Sequence, residues 1–131
     1  MPGKREIVEV EGIAPPFGSY SHGAIGSGRV LHVAGQVGAG PDGEPAGEDA
    51  ESQARQAFAN LGAVLAAAGT GFDSVLKLTA YVTDRAHAAA LAQARAEVVS
   101  GSFPASTVVV VAALLDPRWL LEVEAVAVVP E

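Results

Sequence analysis

Near its C-terminus the chain reads Leu120-Leu-Glu-Val-Glu-Ala-Val-Ala-Val-Val129, where two carboxylates interrupt an otherwise apolar run. Side chains alternate between faces along a strand, so Glu122, Glu124, Val126 and Val128 share one face. Leu121, Val123, Ala125, Ala127 and Val129 share the other. A carboxylate in a partly dry cleft is a candidate general acid or base, because burial raises its pKa and a cationic neighbour lowers it. Other reactive groups are sparse. The chain has no cysteine, which excludes disulfides, thiolate chemistry and Cys-based metal sites. His22, His32 and His87 fall in a loop, a strand and a helix without the spacing of a metal pair, so no metal site is expected. Gly38-Ala-Gly-Pro-Asp-Gly43 lacks the downstream helix signature of a phosphate loop, and there is no Gly-x-Ser-x-Gly elbow.

Composition narrows the classes further. With 131 residues, half of them apolar, the chain suits one domain over residues 1–131 with one core. A net charge of −7 argues against nonspecific binding to nucleic acid or an anionic membrane, both of which favour clustered Lys and Arg. No apolar run reaches membrane-spanning length. The opening Met-Pro-Gly-Lys-Arg-Glu lacks the apolar centre of a secretory signal. A soluble cytoplasmic protein is expected.

The elements that must position the carboxylates follow from periodicity. Ile7-Val-Glu-Val10 is a short strand, and residues 12–24, rich in Gly and Pro, form a loop. Residues 29–36 form a strand, and residues 38–45 a turn-rich connection. Over residues 49–68 the period changes: Ala54, Ala57, Phe58, Leu61, Val64, Leu65 and Ala68 recur at three and four residues. Acidic residues crowd the start of this helix, where its dipole favours them, and Gly69 supplies a left-handed stop. A strand over residues 74–83 precedes a second helix, capped by Asp84 and running to about residue 99. Strands over residues 107–114 and 120–129, joined by residues 115–119, complete the chain. The layout is α+β, with two helices on one face of a mixed sheet.

Thr107-Val-Val-Val-Val-Ala-Ala-Leu-Leu115 shows no polar alternation, the pattern of a strand covered on both faces. Two helices cover only one face. A second copy of the chain is the simplest cover for the other, since each valine left in water forgoes roughly 1.5–3 kcal/mol. A sheet curled on itself is the alternative. A cleft at such a subunit boundary would hold the carboxylates.

Several stretches, taken in order, resemble the RidA/YjgF family, also called the endoribonuclease L-PSP family. They are Gly18-Ser-Tyr-Ser-His-Gly-Ala24, Leu31-His-Val-Ala-Gly-Gln36, Gln53 with Asn60-Leu61, Ala68-Gly69, Leu78-Thr-Ala-Tyr-Val-Thr-Asp84, Phe103-Pro-Ala-Ser-Thr107 and Val123-Glu-Ala-Val-Ala127. The resemblance implies a chorismate-mutase-like fold and a homotrimer with small-molecule ligands in clefts between subunits. It also implies hydrolysis of small enamines and imines, such as 2-aminoacrylate, without metal or organic cofactor.

The same resemblance suggests site residues. Glu124 matches the cleft glutamate that positions the attacking water, and Tyr20 the cleft tyrosine; each could equally be a satisfied structural group. Gly35 and Gln36 match a strand-end pair, where Gly35 admits a close ligand or marks a bulge. In active members the Phe-Pro-Ala segment is followed by an arginine that holds the substrate carboxylate; here that position is Ser106. A hydroxyl cannot neutralise charge, so the expected ligand is less anionic than an imino acid, held by Ser106 with backbone amides of Thr107 and Val108. Phe17 could shape one wall and Trp119 the cleft mouth. Arg118, Arg95 and His22 are the cations that could stand in for the absent arginine, although isolated charges ordinarily sit on solvated faces. Two other readings stand beside the hydrolase: a metabolite-binding or regulatory trimer without turnover, and a ribonuclease, against which the acidic balance weighs.

Overall fold

The computed structural model describes residues 4–131. Two short strands, β1 (Glu6–Ile7) and β2 (Ala24–Ile25), pair antiparallel. The main sheet contains β3 (Arg29–Val37), β4 (Val75–Val82), β5 (Ala105–Val110) and β6 (Leu121–Val129), in the order β3-β6-β4-β5. β6 runs antiparallel to both neighbours, and β4 and β5 are parallel. The parallel pair needs a crossover, which α2 (Ala88–Val98) supplies. The helix α1 (Ala50–Ala67) packs on β3 and β6 and against α2, so the two helices lie on one face of a mixed sheet.

Local chemistry explains the helix ends. The Asp49 carboxylate accepts from the Ser52 backbone N–H at 2.9 Å and caps α1. That bond holds the Asp49 pKa below the usual carboxylate range. Gly69, at φ +82°, turns the chain out of the helix. Asp84 caps a 3-10 turn over Arg85–His87 rather than α2 itself, and α2 continues directly from that turn.

The core lies between the helices and the sheet. Ala54, Ala57, Phe58, Leu61 and Leu65 of α1 meet Leu121, Val123, Ala125 and Ala127 of β6 and Leu78, Ala80 and Val82 of β4. Two differences from the sequence-based expectation concern strands. β5 ends at Val110 rather than Leu114. The first strand covers Glu6–Ile7 and finds its partner, β2, inside the segment expected to be loop.

Two buried polar side chains tie loops to this frame. Arg5 donates to the backbone carbonyls of Phe72 and Val75 at 2.6 and 3.2 Å, and to that of Ser102. Gln53, fully buried on α1, donates through Nε2 to the carbonyls of Gly47 and Arg118 at 3.0 Å each. Its Oε1 accepts from the Leu120 N–H at 2.9 Å. One amide therefore fixes both the entry to α1 and the entry to β6. Replacing Gln53 with leucine strands three backbone groups and is expected to cost about 3 kcal/mol, at roughly 1 kcal/mol or more for each orphaned group. Urea unfolding of Gln53→Leu measures this, and a loss well under 1 kcal/mol would mean the loops are held by something else.

Candidate functional site

The sheet face away from the helices carries the site. On β6 the alternation places Leu121, Val123, Ala125, Ala127 and Val129 in the core, while Glu122, Glu124 and Val126 are half-buried on the open side. Register carries that side across the neighbouring strands. Glu124 stands opposite Thr79 of β4, and Thr79 opposite Thr107 of β5. Tyr81 is opposite Glu122 and Lys77 opposite Val126.

Two short contacts organise this polar row. The Tyr81 hydroxyl donates to Glu124 Oε1 at 2.5 Å. Lys77 Nζ donates to Thr107 Oγ1 at 2.6 Å. The bond to Glu124 holds the proton on Tyr81 and pushes its pKa up; partial burial and the charges of Glu124 and Glu122 push the same way. A carboxylate that receives a hydroxyl proton on one oxygen is fixed in rotamer and keeps the other oxygen as an acceptor.

Gly35 lies in a register shift of β3, where Ala34 and Gly35 together face Glu124 between the pairs Val33–Ala125 and Gln36–Val123. This is a bulge. A Cβ at Gly35 would stand 1.8 Å from Glu122 Oε2, so the group that approaches the bare backbone within one chain is the Glu122 carboxylate. Gln36 Nε2 donates to its neighbour's carbonyl, that of Ala34.

The remaining candidates lie elsewhere. Ser106 is opposite Leu78, a core residue, and so points to the helix side of the sheet, away from Glu124. Its Oγ accepts from Arg95 Nη1 of α2 at 3.3 Å. Val108 shares that side and is 40% exposed. The Tyr20 hydroxyl accepts from the Phe17 N–H at 3.1 Å. Tyr20 lines a recess of about 300 Å³ with Ile7, Val10, Ile13 and His22. The adjoining Ser21 bridges to Ala105 and donates to the Pro104 carbonyl, which docks the Tyr20 loop at the start of β5. Phe17 stands 91% exposed beside it.

Arg118 is engaged by Asp116 at 3.0 Å and by Glu44 at 2.5 Å, which raise its pKa, and its guanidinium lies 5.6 Å from the Trp119 ring. It borders a separate recess of about 500 Å³ between Glu44, Glu48 and Pro117. His22 Nε2 is 2.8 Å from the Ala14 carbonyl. Within one chain, then, Glu124 and Thr107 share a face, Tyr20 and Ser106 flank the start of β5, and Arg118 and Trp119 form a third group.

Sequence reasoning missed Tyr81 and Lys77. The signal was present in Lys77-Leu-Thr-Ala-Tyr-Val82, whose alternation sets Lys77, Thr79 and Tyr81 on one polar face.

Fold and site together describe a small α+β protein with one helical layer and a carboxylate-bearing sheet face left open. The comparisons give that class its family. The family model described as Endoribonuclease L-PSP matches residues 11–129. A RutC family protein of Pyrococcus horikoshii is 37% identical over 124 residues, 94% of this chain and 97% of the relative. A 2-iminobutanoate/2-iminopropanoate deaminase of Mus musculus is 33% identical over 126 residues, 95% of this chain and 91% of the relative. The crystal structure of a Rid-family protein of unknown function from Yersinia pestis superposes with a TM-score of 0.86 at 37% identity, covering 96% of this chain and 99% of that one. The chain belongs to the endoribonuclease L-PSP family, the RidA/YjgF group.

The Tyr81–Glu124 bond predicts a titration. A pKa raised in the folded state contributes stability up to about pH 10, the unperturbed tyrosine value, and that contribution is lost as pH climbs through the raised value. Tyrosinate absorbance should show a component ionising above pH 10, and Glu124→Gln should move it down. An unchanged titration in Glu124→Gln would show that the bond does not form in solution.

Proposed function

We propose that the protein hydrolyses a small imine or enamine to a carbonyl compound and ammonia, in a cleft formed where copies of the chain, three in this reading, meet over the open sheet face. The observation that carries the reading is the half-buried Glu124, held by Tyr81 at 2.5 Å on the face of the sheet away from α1 and α2. Relatives named 2-iminobutanoate/2-iminopropanoate deaminase support the reaction class. The half-open valines of β5 support the assembly: Val109 is 40% and Val110 56% exposed, more apolar surface than a strand end ordinarily leaves in water.

The chemistry needs a water, a base and no electron carrier. With Oε1 occupied by the Tyr81 hydroxyl, Glu124 Oε2 accepts a proton from water as the water oxygen bonds to the imine carbon. The C=N electron pair moves onto nitrogen, which takes up a proton. When the C–N bond then breaks, the new hydroxyl loses its proton and becomes the carbonyl. The water oxygen stays with carbon, and its two hydrogens leave on ammonia. Tyr81 acts as a positioning residue by fixing the carboxylate rotamer.

Purified protein should release a carbonyl compound and ammonia from a small uncharged imine generated in situ, and faster than from 2-iminopropanoate, since the Ser106 hydroxyl cannot neutralise a substrate carboxylate. Glu124→Gln should lower kcat/KM by about 100-fold or more, the usual weight of a positioned base. Tyr81→Phe should lower it less. Turnover that survives Glu124→Gln would overturn the assignment. Ligand binding with no turnover in the wild-type protein would make it a metabolite-binding assembly instead.

A further inference from the structure

A recess of about 500 Å³ opens between the connection that leads into α1 and the loop that leads into β6. It shares no residue with the polar row around Glu124 or with the Tyr20 recess. Its two walls are tied together. Buried Gln53 binds the carbonyls of Gly47 on one wall and Arg118 on the other, and the Leu120 N–H beside them. The Arg118 side chain spans the same gap, donating to Glu44 across it at 2.5 Å and to Asp116 of its own loop at 3.0 Å. A hollow held open in this way pays little ordering cost when a ligand enters, and its size suits a small molecule.

The lining decides which kind. Pro45, Pro117 and Leu120 give the recess an apolar surface, which favours a hydrocarbon body. The Arg118 guanidinium is already engaged: Nε and Nη2 go to Asp116 and Nη1 to Glu44. An entering anion would have to displace one of those carboxylates. The positive end of α1 is occupied too, because Asp49 accepts from the Ser52 N–H. Glu48 differs. It is exposed and lines the recess, and among the described residues no cation lies within ion-pair distance of it. Glu44, Glu48 and Asp116 thus stand against Arg118 alone, three negative charges to one positive.

We propose that this recess is a second ligand site, for a small organic ammonium ion: a primary amine on an apolar body, with Glu48 accepting from the ammonium and Pro45, Pro117 and Leu120 receiving the hydrocarbon. A neutral molecule would cover the same apolar surface but leave the Glu48 charge unanswered. The site does not depend on the hydrolase reading.

Trp119 is the chain's only tryptophan and lies 5.6 Å from the Arg118 guanidinium, so its fluorescence reports on this corner alone. The test titrates the full-length protein with 2-phenylethylamine, 2-phenylethanol and 3-phenylpropanoate, excited where the probes do not absorb, with backbone amide shifts recorded in parallel. The amine should bind more tightly than the alcohol by about threefold, the weight of one exposed charge pair, and 3-phenylpropanoate should bind most weakly. Amide shifts should appear at Gly47, Glu48 and Leu120. Glu48→Gln should bring the amine down to the affinity of the alcohol, and Glu9→Gln, in the Tyr20 recess, should leave it unchanged. No saturable response to the amine at tens of millimolar, or equal affinity for the three probes, overturns the site, and neither arm needs a variant to fold. Shifts confined to residues 7–22 place the amine in the other recess and overturn it as well. So does an equal loss of affinity in Glu48→Gln and Glu9→Gln, which would reflect only the negative charge of the whole chain.

Discussion

β6 hydrogen-bonds to β3 on one side and to β4 on the other, and the rest of the molecule depends on that double pairing being in register. Its core-facing set, Leu121, Val123, Ala125, Ala127 and Val129, is wholly apolar and buried. A slip of one residue would turn Glu122 and Glu124 against α1 and put the apolar set outside. Each buried leucine or valine is worth roughly 1.5–3 kcal/mol, and an unpaired buried carboxylate costs more than that. The alternative register is therefore penalised twice. The charges that seem out of place in an apolar strand help decide which way round it lies.

The open face follows from the same constraint. Once the carboxylates are turned away from the helices, neighbouring strands must offer polar or small residues beside them. β4 supplies Thr79 and the Tyr81 hydroxyl, and β3 supplies a bulge and the bare backbone of Gly35 beneath Glu122. Next to this polar row, the outer half of β5 is apolar and exposed on both sides. Among the described residues, no further strand of the sheet lies beyond β5. Polar chemistry and unsatisfied apolar surface on adjoining strands are the features from which an inter-subunit cleft would be made.

Much of this was legible in the sequence because it is local. Helical period, the Asp49 cap, Gly69 and the alternation around Glu124 each depend on residues a few positions apart. The errors lie where pairing is distant. Ala24–Ile25 becomes a strand only because Glu6–Ile7 lies beside it, and two residues carry no period of their own. The apolar run after Val110 continues without interruption, but β4 ends at Val82, and a strand without a partner cannot extend. The side on which Ser106 falls is set by its parallel register with Leu78, which no spacing within residues 103–107 reveals. Arg95 could be named from sequence as one of three stray cations. Only the packing of α2 beside β5 distinguishes it from Arg118, whose charge is already taken.

Arg5 has a consequence for how the chain folds. Its guanidinium is satisfied by carbonyls of residues 72, 75 and 102, partners 67 to 97 positions later in the chain. Until those residues have folded, the Arg5 guanidinium has none of these partners. Closure of such long loops is entropically costly until late contacts reward it. Docking of Arg5 therefore ties together segments on both sides of α2 and requires residues 72–75 and 102 to be in place.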